Sequence, residues 1–293
     1  MKPLFTGTGT ALVTPFRNDE IDWESLEMLI EDQLAGGVRA LIAAGTTGEP
    51  STMTWEEHLK VIRFVTDKAK GRACIIAGTG SNCTKEVIEA AKELKDYGAD
   101  AQLCVTPYYN KTTQDGLVAH YNAIADSDTM PVIVYNVPGR TGMNILPSTL
   151  QRITAHENVV AVKEANDNFV QAMEKIRLCG HQADFYSGMD EVIVPLMNLG
   201  YKGVISVVSN VMPRQTSEMT ELALQGKWEE ANALQLKYLP FIQSLFWETN
   251  PTPAKAALAL MGKMSDEVRL PLVPMSEANR SKMAVLMKEL GLL

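Results

Sequence analysis

Eight short, β-branched apolar runs recur up to residue 210, and each is followed by turn residues and a helical stretch. They are TALVTPF (10–16), ALIAAGTTGE (40–49), ACIIAGTGS (73–81), AQLCVTPYY (101–109), PVIVYNVP (131–138), VVAVKEA (159–165), ADFYSGMD (183–190) and GVISVVSN (203–210). Strands that alternate with helices of roughly 10 to 15 residues run parallel. Runs apolar on both faces need a sheet covered on both sides, or a closed barrel. Eight such units in about 210 residues is the count of a TIM (β/α)8 barrel. A doubly wound sheet competes, but it more often has five or six strands and a glycine fingerprint after the first. The first run here leads into TPFRND, which has none.

The helices carry their own start and stop signals. Asp22 can cap a helix over 23–36, stopped by Gly36-Gly37. Thr54 with Glu57 reads as a capping box before 55–70, and Thr84 opens a helix ended by Gly98. After residue 210 the pattern is helical only, over 213–225, 227–248, 251–262 and 276–290. The expected α/β organisation is therefore a barrel over 1–225 with a C-terminal helical appendage over 226–293, packed on it without a low-complexity linker.

Composition narrows the function. The 293 residues are 46% hydrophobic and 21% charged, and 27 basic against 35 acidic side chains give a net charge of −8. That balance argues against a general nucleic-acid binder. No run of about 18 apolar residues suggests a membrane span. The start of the chain, MKPLFTGTGTALVTPF, has neither an apolar signal core nor an Arg-rich transit pattern, and a cytoplasmic protein is expected. The four cysteines form no CxxC pair and read as free thiols. His58, His120, His156 and His181 share no ligand spacing, so no metal is expected. AGTGSN lacks the end of a P-loop, and no Gly-x-Ser-x-Gly elbow occurs. No organic cofactor is expected either.

In a barrel of this kind the chemistry sits at the C-terminal ends of the strands. Polar residues there are Thr46, Thr47 and Glu49, then Tyr108 and Tyr109, Tyr135, Asn136 and Arg140, Lys163 and Glu164, Ser187 and Gly188, and Ser206 and Ser209. Lys163 follows four apolar residues, and an ammonium in an apolar barrel is disfavoured relative to the neutral amine. Such an amine can form a Schiff base with a carbonyl. The alternative is a lysine that reaches solvent or pairs with Glu164. Tyr135 is either a core tyrosine or, with Tyr109 and the Thr46-Thr47 pair, part of a row of hydroxyls that passes a proton.

GTTGE (45–49), TPYYNK (106–111), YNVPGRTG (135–142) and KEA (163–165) together resemble the dihydrodipicolinate synthase family, from about residue 5 to the end. KEA and GTTGE alone resemble the wider group of pyruvate-dependent lyases and aldolases, which includes N-acetylneuraminate lyase. The resemblance implies that pyruvate condenses with L-aspartate-4-semialdehyde, in lysine (diaminopimelate) biosynthesis, without a cofactor. It implies that Lys163 forms the Schiff base with pyruvate and Tyr135 moves protons. Thr46 and Tyr109 would complete the relay, Tyr109 reaching the neighbouring subunit's site. Thr47 would hold the pyruvate carboxylate, Ile205 would line the pyruvate site through its backbone, and Gly188 lies in the substrate loop. Arg140 would bind the carboxylate of the aldehyde, and its planar fork suits that task.

A homotetramer built as a dimer of dimers is implied, as is a lysine effector site at a subunit interface. Its matching positions are Pro50, Ser51, Trp55, His58, Asn82, Glu86 and Tyr108. His58, Asn82, Glu86 and Tyr108 fit the lysine-sensitive pattern, whereas Pro50 and Ser51 depart from it. Surface polar residues of ordinary helices are the alternative. A retro-aldolase acting on a sugar acid would not need Arg140. A non-catalytic ligand sensor would not need Thr46, Tyr109, Tyr135 and Lys163 together.

Overall fold

The computed structural model describes residues 3–127 and 129–293. Eight parallel strands close into one barrel: β1 (Gly7–Ala11), β2 (Ala40–Ala43), β3 (Cys74–Gly78), β4 (Ala101–Val105), β5 (Val132–Asn136), β6 (Val159–Glu164), β7 (Asp184–Ser187) and β8 (Gly203–Ser206). Neighbours in sequence are neighbours in space, and β1 closes the ring on β8 with Gly7 opposite Gly203 and Thr10 opposite Ser206. The (β/α)8 expectation therefore holds.

The outer helices are α1 (Trp23–Ala35), α2 (Trp55–Ala69), α3 (Thr84–Lys95), α4 (Gln114–Asp126), α5 (Pro147–Thr154), α6 (Phe169–Cys179), α7 (Ile193–Asn198) and α8 (Pro213–Leu224). Asp22 caps α1 by accepting from the Ser25 N–H at 3.1 Å. The Thr54 hydroxyl accepts from the Glu57 N–H, and the Glu57 carboxylate accepts from the Thr54 N–H, which completes the capping box of α2. Beyond the barrel come α9 (Trp228–Ser244), α10 (Thr252–Leu260) and α11 (Glu277–Glu289). Their buried Phe241, Ile242, Leu258, Met283 and Met287 join the same apolar cluster as Leu41 and Ile75 of the barrel wall and Val61 of α2. Among the described residues no helix is long and apolar enough to cross a membrane.

The first strand lies earlier than the apolar run 10–16 suggests. It is GTGTA, and its glycines conceal it, because glycine is a poor strand former. Gly9 is required by space: a Cβ there would come within 2.8 Å of the Phe5 ring. Part of the expected run instead enters a hairpin, Phe16–Arg17 paired with Glu20–Ile21. Its turn residues Asn18 and Asp19 both have positive φ, as a tight two-residue hairpin turn needs.

Side chains alternate across each strand. Ile133, Tyr135, Ala161, Tyr186 and Ile205 fill the barrel interior, while Val132, Val134, Val162, Phe185 and Val204 pack outward under the helices. Phe5 occupies the N-terminal end of the interior, stacked on Tyr186 with ring centroids 4.2 Å apart.

Arg269, in the segment between α10 and α11, grips Glu57 with two hydrogen bonds of 2.7 and 2.9 Å. The Arg269 guanidinium holds the Glu57 carboxyl down to about 2. A carboxylate depressed this way adds stability above its unfolded pKa near 4.5, and the contribution fades as pH falls through about 2. Glu57→Gln keeps the capping box and removes the charge. It is expected to lower stability by about 1 kcal/mol at pH 7, screening included. Urea titrations at stepped pH should show that gap closing between pH 4.5 and 2.

Candidate active site

Strand alternation decides where Lys163 goes. Ala161 points into the barrel, so Lys163 does too, and Val162 and Glu164 point out. Lys163 is only 5% exposed, and its Nζ lies 4.3 Å from the centroid of the Tyr135 ring on the adjoining strand. Glu164 instead meets Lys175 of α6 at 2.6 Å, both fully buried, and accepts from Asn136 Nδ2 at 2.7 Å. Neither a solvent-reaching Lys163 nor a Lys163–Glu164 pair is present. Gly188 leaves room for the lysine stem, because a Cβ there would stand 3.1 Å from Lys163 Cε and 2.7 Å from Ala165 Cβ.

A cavity of about 330 Å³ opens over this lysine at the C-terminal mouth. Thr46, Thr47, Tyr135, Arg140, Lys163 and Gly188 all line it. The Thr46–Gly48 turn follows β2, and the helical turn Pro138–Thr141 that carries Arg140 follows β5. Ile205 is buried in the barrel interior beside Tyr135 and Tyr186 and does not reach the cavity wall with its side chain. Tyr109 is not brought to this cavity by its own chain. It is 93% exposed and has φ of +68°, an unfavourable conformation for a bulky residue.

Two residues that brace the loops of this mouth are not singled out by the sequence. Asn250 donates from Nδ2 to the Thr47 hydroxyl at 3.0 Å, and its carbonyl accepts from Arg140 Nη2 at 2.9 Å. It therefore links two of the polar groups on the cavity wall. Its one visible signal is the Asn-Pro-Thr-Pro sequence, which reads only as a helix start. Asp190 is fully buried, and its Oδ2 accepts from the Val207 and Val208 N–H groups at 2.9 and 2.8 Å. It binds the loops after β7 and β8 together. Burial pushes its carboxyl up, against the pull of those N–H groups and of the Lys163 charge.

A second cavity, about 540 Å³, is lined by Pro50, Ser51, Trp55, His58, Glu86 and Tyr108. Glu89 and Glu93, one and two turns along α3 from Glu86, add to its acidic wall. Asn82 is not in the lining. It holds the loop from behind, donating from Nδ2 to the Tyr108 carbonyl at 3.1 Å. His58 Nε2 lies 2.7 Å from the Gly78 carbonyl, which only accepts, so that nitrogen carries the proton. Burial pushes the His58 pKa down. A smaller cavity of about 220 Å³ touches both sites, bordered by Ser51, His58 and Tyr108 and by Thr46, Tyr135 and Arg140. Among the described residues no group of three or more His, Cys, Asp or Glu is placed to hold a metal ion.

Fold and cavity together put the chain among the (β/α)8-barrel proteins, whose chemistry gathers at this mouth. Its particular place follows from comparison with known proteins. Residues 4–290 match the model of the dihydrodipicolinate synthetase family, and the chain belongs to that family. It is 50% identical over 290 residues to the 4-hydroxy-tetrahydrodipicolinate synthase of Geotalea uraniireducens, covering 99% of this chain and 100% of that one. Its structure is similar to that of the chloride-inhibited enzyme of Acinetobacter baumannii complexed with pyruvate, with 42% identity, a TM-score of 0.97 and 99% and 100% of the chains covered. It is also similar to the lysine-bound enzyme of Cyanidioschyzon merolae, with 39% identity, a TM-score of 0.95 and 100% of both chains covered.

Proposed function

We propose that the protein is a 4-hydroxy-tetrahydrodipicolinate synthase, condensing pyruvate with L-aspartate-4-semialdehyde through an imine on Lys163. The observation that carries this reading is the enclosed Lys163 amine over the Tyr135 ring, in one cavity with Thr47 and Arg140. The full-length likeness to enzymes of that name supports it.

The chemistry needs few parts. The Lys163 amine adds to the pyruvate ketone, and loss of water gives an imine. The imine nitrogen acts as an electron sink, so a methyl proton can leave and an enamine forms. The enamine carbon attacks the aldehyde. The amine of the second substrate then displaces Lys163 and closes the ring. Tyr135 is the proton carrier at the imine, with Thr46 and the Tyr109 of a neighbouring subunit completing the relay. Thr47 holds the pyruvate carboxylate, with Ile205 and Gly188 shaping the space around it. The exposed, left-handed Tyr109 supports an assembly of at least a dimer, and a dimer of dimers is the expected form.

Borohydride added with pyruvate should leave a reduced adduct on Lys163, read by mass spectrometry. An unmodified Lys163 would remove the reading. Arg140→Ala is expected to lower kcat/KM for the semialdehyde about 100-fold, with adduct formation from pyruvate nearly unchanged. An equal loss for both substrates, or intact semialdehyde turnover, would reject the role assigned to Arg140, and a wild type inactive on the semialdehyde would favour a sugar-acid aldolase.

Lysine is the proposed effector at the acidic cavity, where Glu86 would meet its ammonium beside Ser51, Trp55, His58 and Tyr108. Asn82 supports that wall. Lysine at millimolar concentration should depress the rate, and an unchanged rate would sink this assignment.

A further inference from the structure

We propose that Lys255 and Glu49, neither of which lines the cavity, are positioning residues that clamp the catalytic turn on the pyruvate-carboxylate side. This rests on the pyruvate reading above.

Glu49 ends the turn that carries Thr46 and Thr47. Its φ is +58°, in the left-handed region, and such a backbone persists only where the surroundings hold it. Its N–H donates to the Thr46 carbonyl at 3.2 Å, so the placement of Glu49 and that of the turn are one problem. The Glu49 side chain is buried, with Oε1 paired to Lys255 Nζ and Oε2 accepting from the Arg269 N–H at 3.3 Å.

Lys255 lies on α10 and is wholly buried. Its Nζ sits 4.2 Å from the centroid of the Phe16 ring and donates to the Glu267 carbonyl at 2.9 Å. Burial pulls its pKa down to about 8, against the attraction of Glu49. A buried ion pair is a weak source of stability, since apolar side chains of similar volume often serve as well. What it offers instead is direction. One lysine head and one carboxylate meet in a single geometry, whereas apolar groups slide.

The same C-terminal segment touches the turn a second time, through Asn250 Nδ2 and the Thr47 hydroxyl. From the barrel side, the Thr14 hydroxyl donates to the Gly48 carbonyl at 2.8 Å. Thr47, Gly48 and Glu49 are thus each tied from outside the turn. Of these ties, the Lys255–Glu49 pair is the one between opposite charges.

The test is a pyruvate titration of the borohydride-trapped Lys163 adduct in wild type and Lys255→Met. A positioning role predicts at least about a tenfold rise in the pyruvate concentration for half-maximal adduct, with full adduct still reached at saturation. A merely structural role predicts a lower melting temperature with half-saturation unchanged, and that result overturns the proposal. Lys255→Met leaves a lone buried carboxylate and can unfold the protein. The double variant Lys255→Met/Glu49→Gln buries no lone charge. It is expected to fold and still to need several times more pyruvate. Wild-type half-saturation in the folded double variant also overturns the proposal. If the wild type itself yields no adduct, the pyruvate reading falls and the clamp with it; an adduct in wild type with an unshifted variant rejects the clamp alone.

Discussion

Lys163→Ala is expected to reduce turnover by about 10⁴-fold or more and to remove the borohydride adduct entirely. The size follows from the geometry. The amine is the only nucleophilic group this proposal places at the imine carbon, and the Tyr135 ring packs against the space it leaves. The fold should survive, because among the described residues Lys163 forms no ion pair whose partner would be stranded. A melting temperature close to that of wild type would accompany the loss, since only the distant pull of the Lys163 charge on buried Asp190 goes with it. Retention of a tenth of the activity would move the chemistry to another residue. Steady-state rates, intact-mass analysis and thermal unfolding on one preparation separate these outcomes.

Lys175→Met should have the largest effect on stability, about 3–5 kcal/mol. Lys175 is 0% exposed, and its ammonium lies against the Glu164 carboxylate beneath the barrel wall. Without it, Glu164 keeps only the Asn136 amide as a described partner, and burial already pushes its carboxyl up. The group must then take up a proton or open the wall to water. Asn136 is also tied to Asn144 and to the Ile145 N–H, so the disturbance extends along the loop after β5. A urea midpoint shift with unchanged slope would report it. Lys175→Met/Glu164→Gln should recover most of the loss, and a double variant as unstable as the single one would place the effect in packing rather than charge.

The legibility of this molecule follows the range of its contacts. PVIVYN and VVAVKE are recognisable strands because their neighbours in the barrel are equally apolar, and Tyr135 and Lys163 are the last but one residue of each. Alternation then aims Lys163 and Glu164 to opposite sides, a consequence available from sequence once β6 is placed. Thr46, Thr47, Arg140 and Gly188 stand out by their place at the strand ends and take their roles from the motif resemblance, and they line one cavity with Lys163. Strand β1 is hidden in the sequence because close approach to Phe5 favours glycine where strand propensity expects a branched residue. Asn250, Asp190 and Lys255 are silent in the sequence for another reason. Asn250 meets Thr47 across 203 positions of chain, and no local pattern encodes that encounter. Tyr109 is legible by its place at the rim and by its motif, whereas its own chain leaves it in solvent.

Phe5 has a kinetic consequence. With its ring stacked on Tyr186 at the N-terminal end, it completes an interior already filled by side chains, and the barrel offers the lysine no way in from below. Everything that reaches the lysine enters by the mouth where Arg140 and Thr47 stand, and the released water and product leave the same way. A second substrate already seated in that mouth would bar the first. Traffic in such a cul-de-sac acquires an order from depth alone; on the proposed function, excess semialdehyde should slow turnover most when pyruvate is scarce.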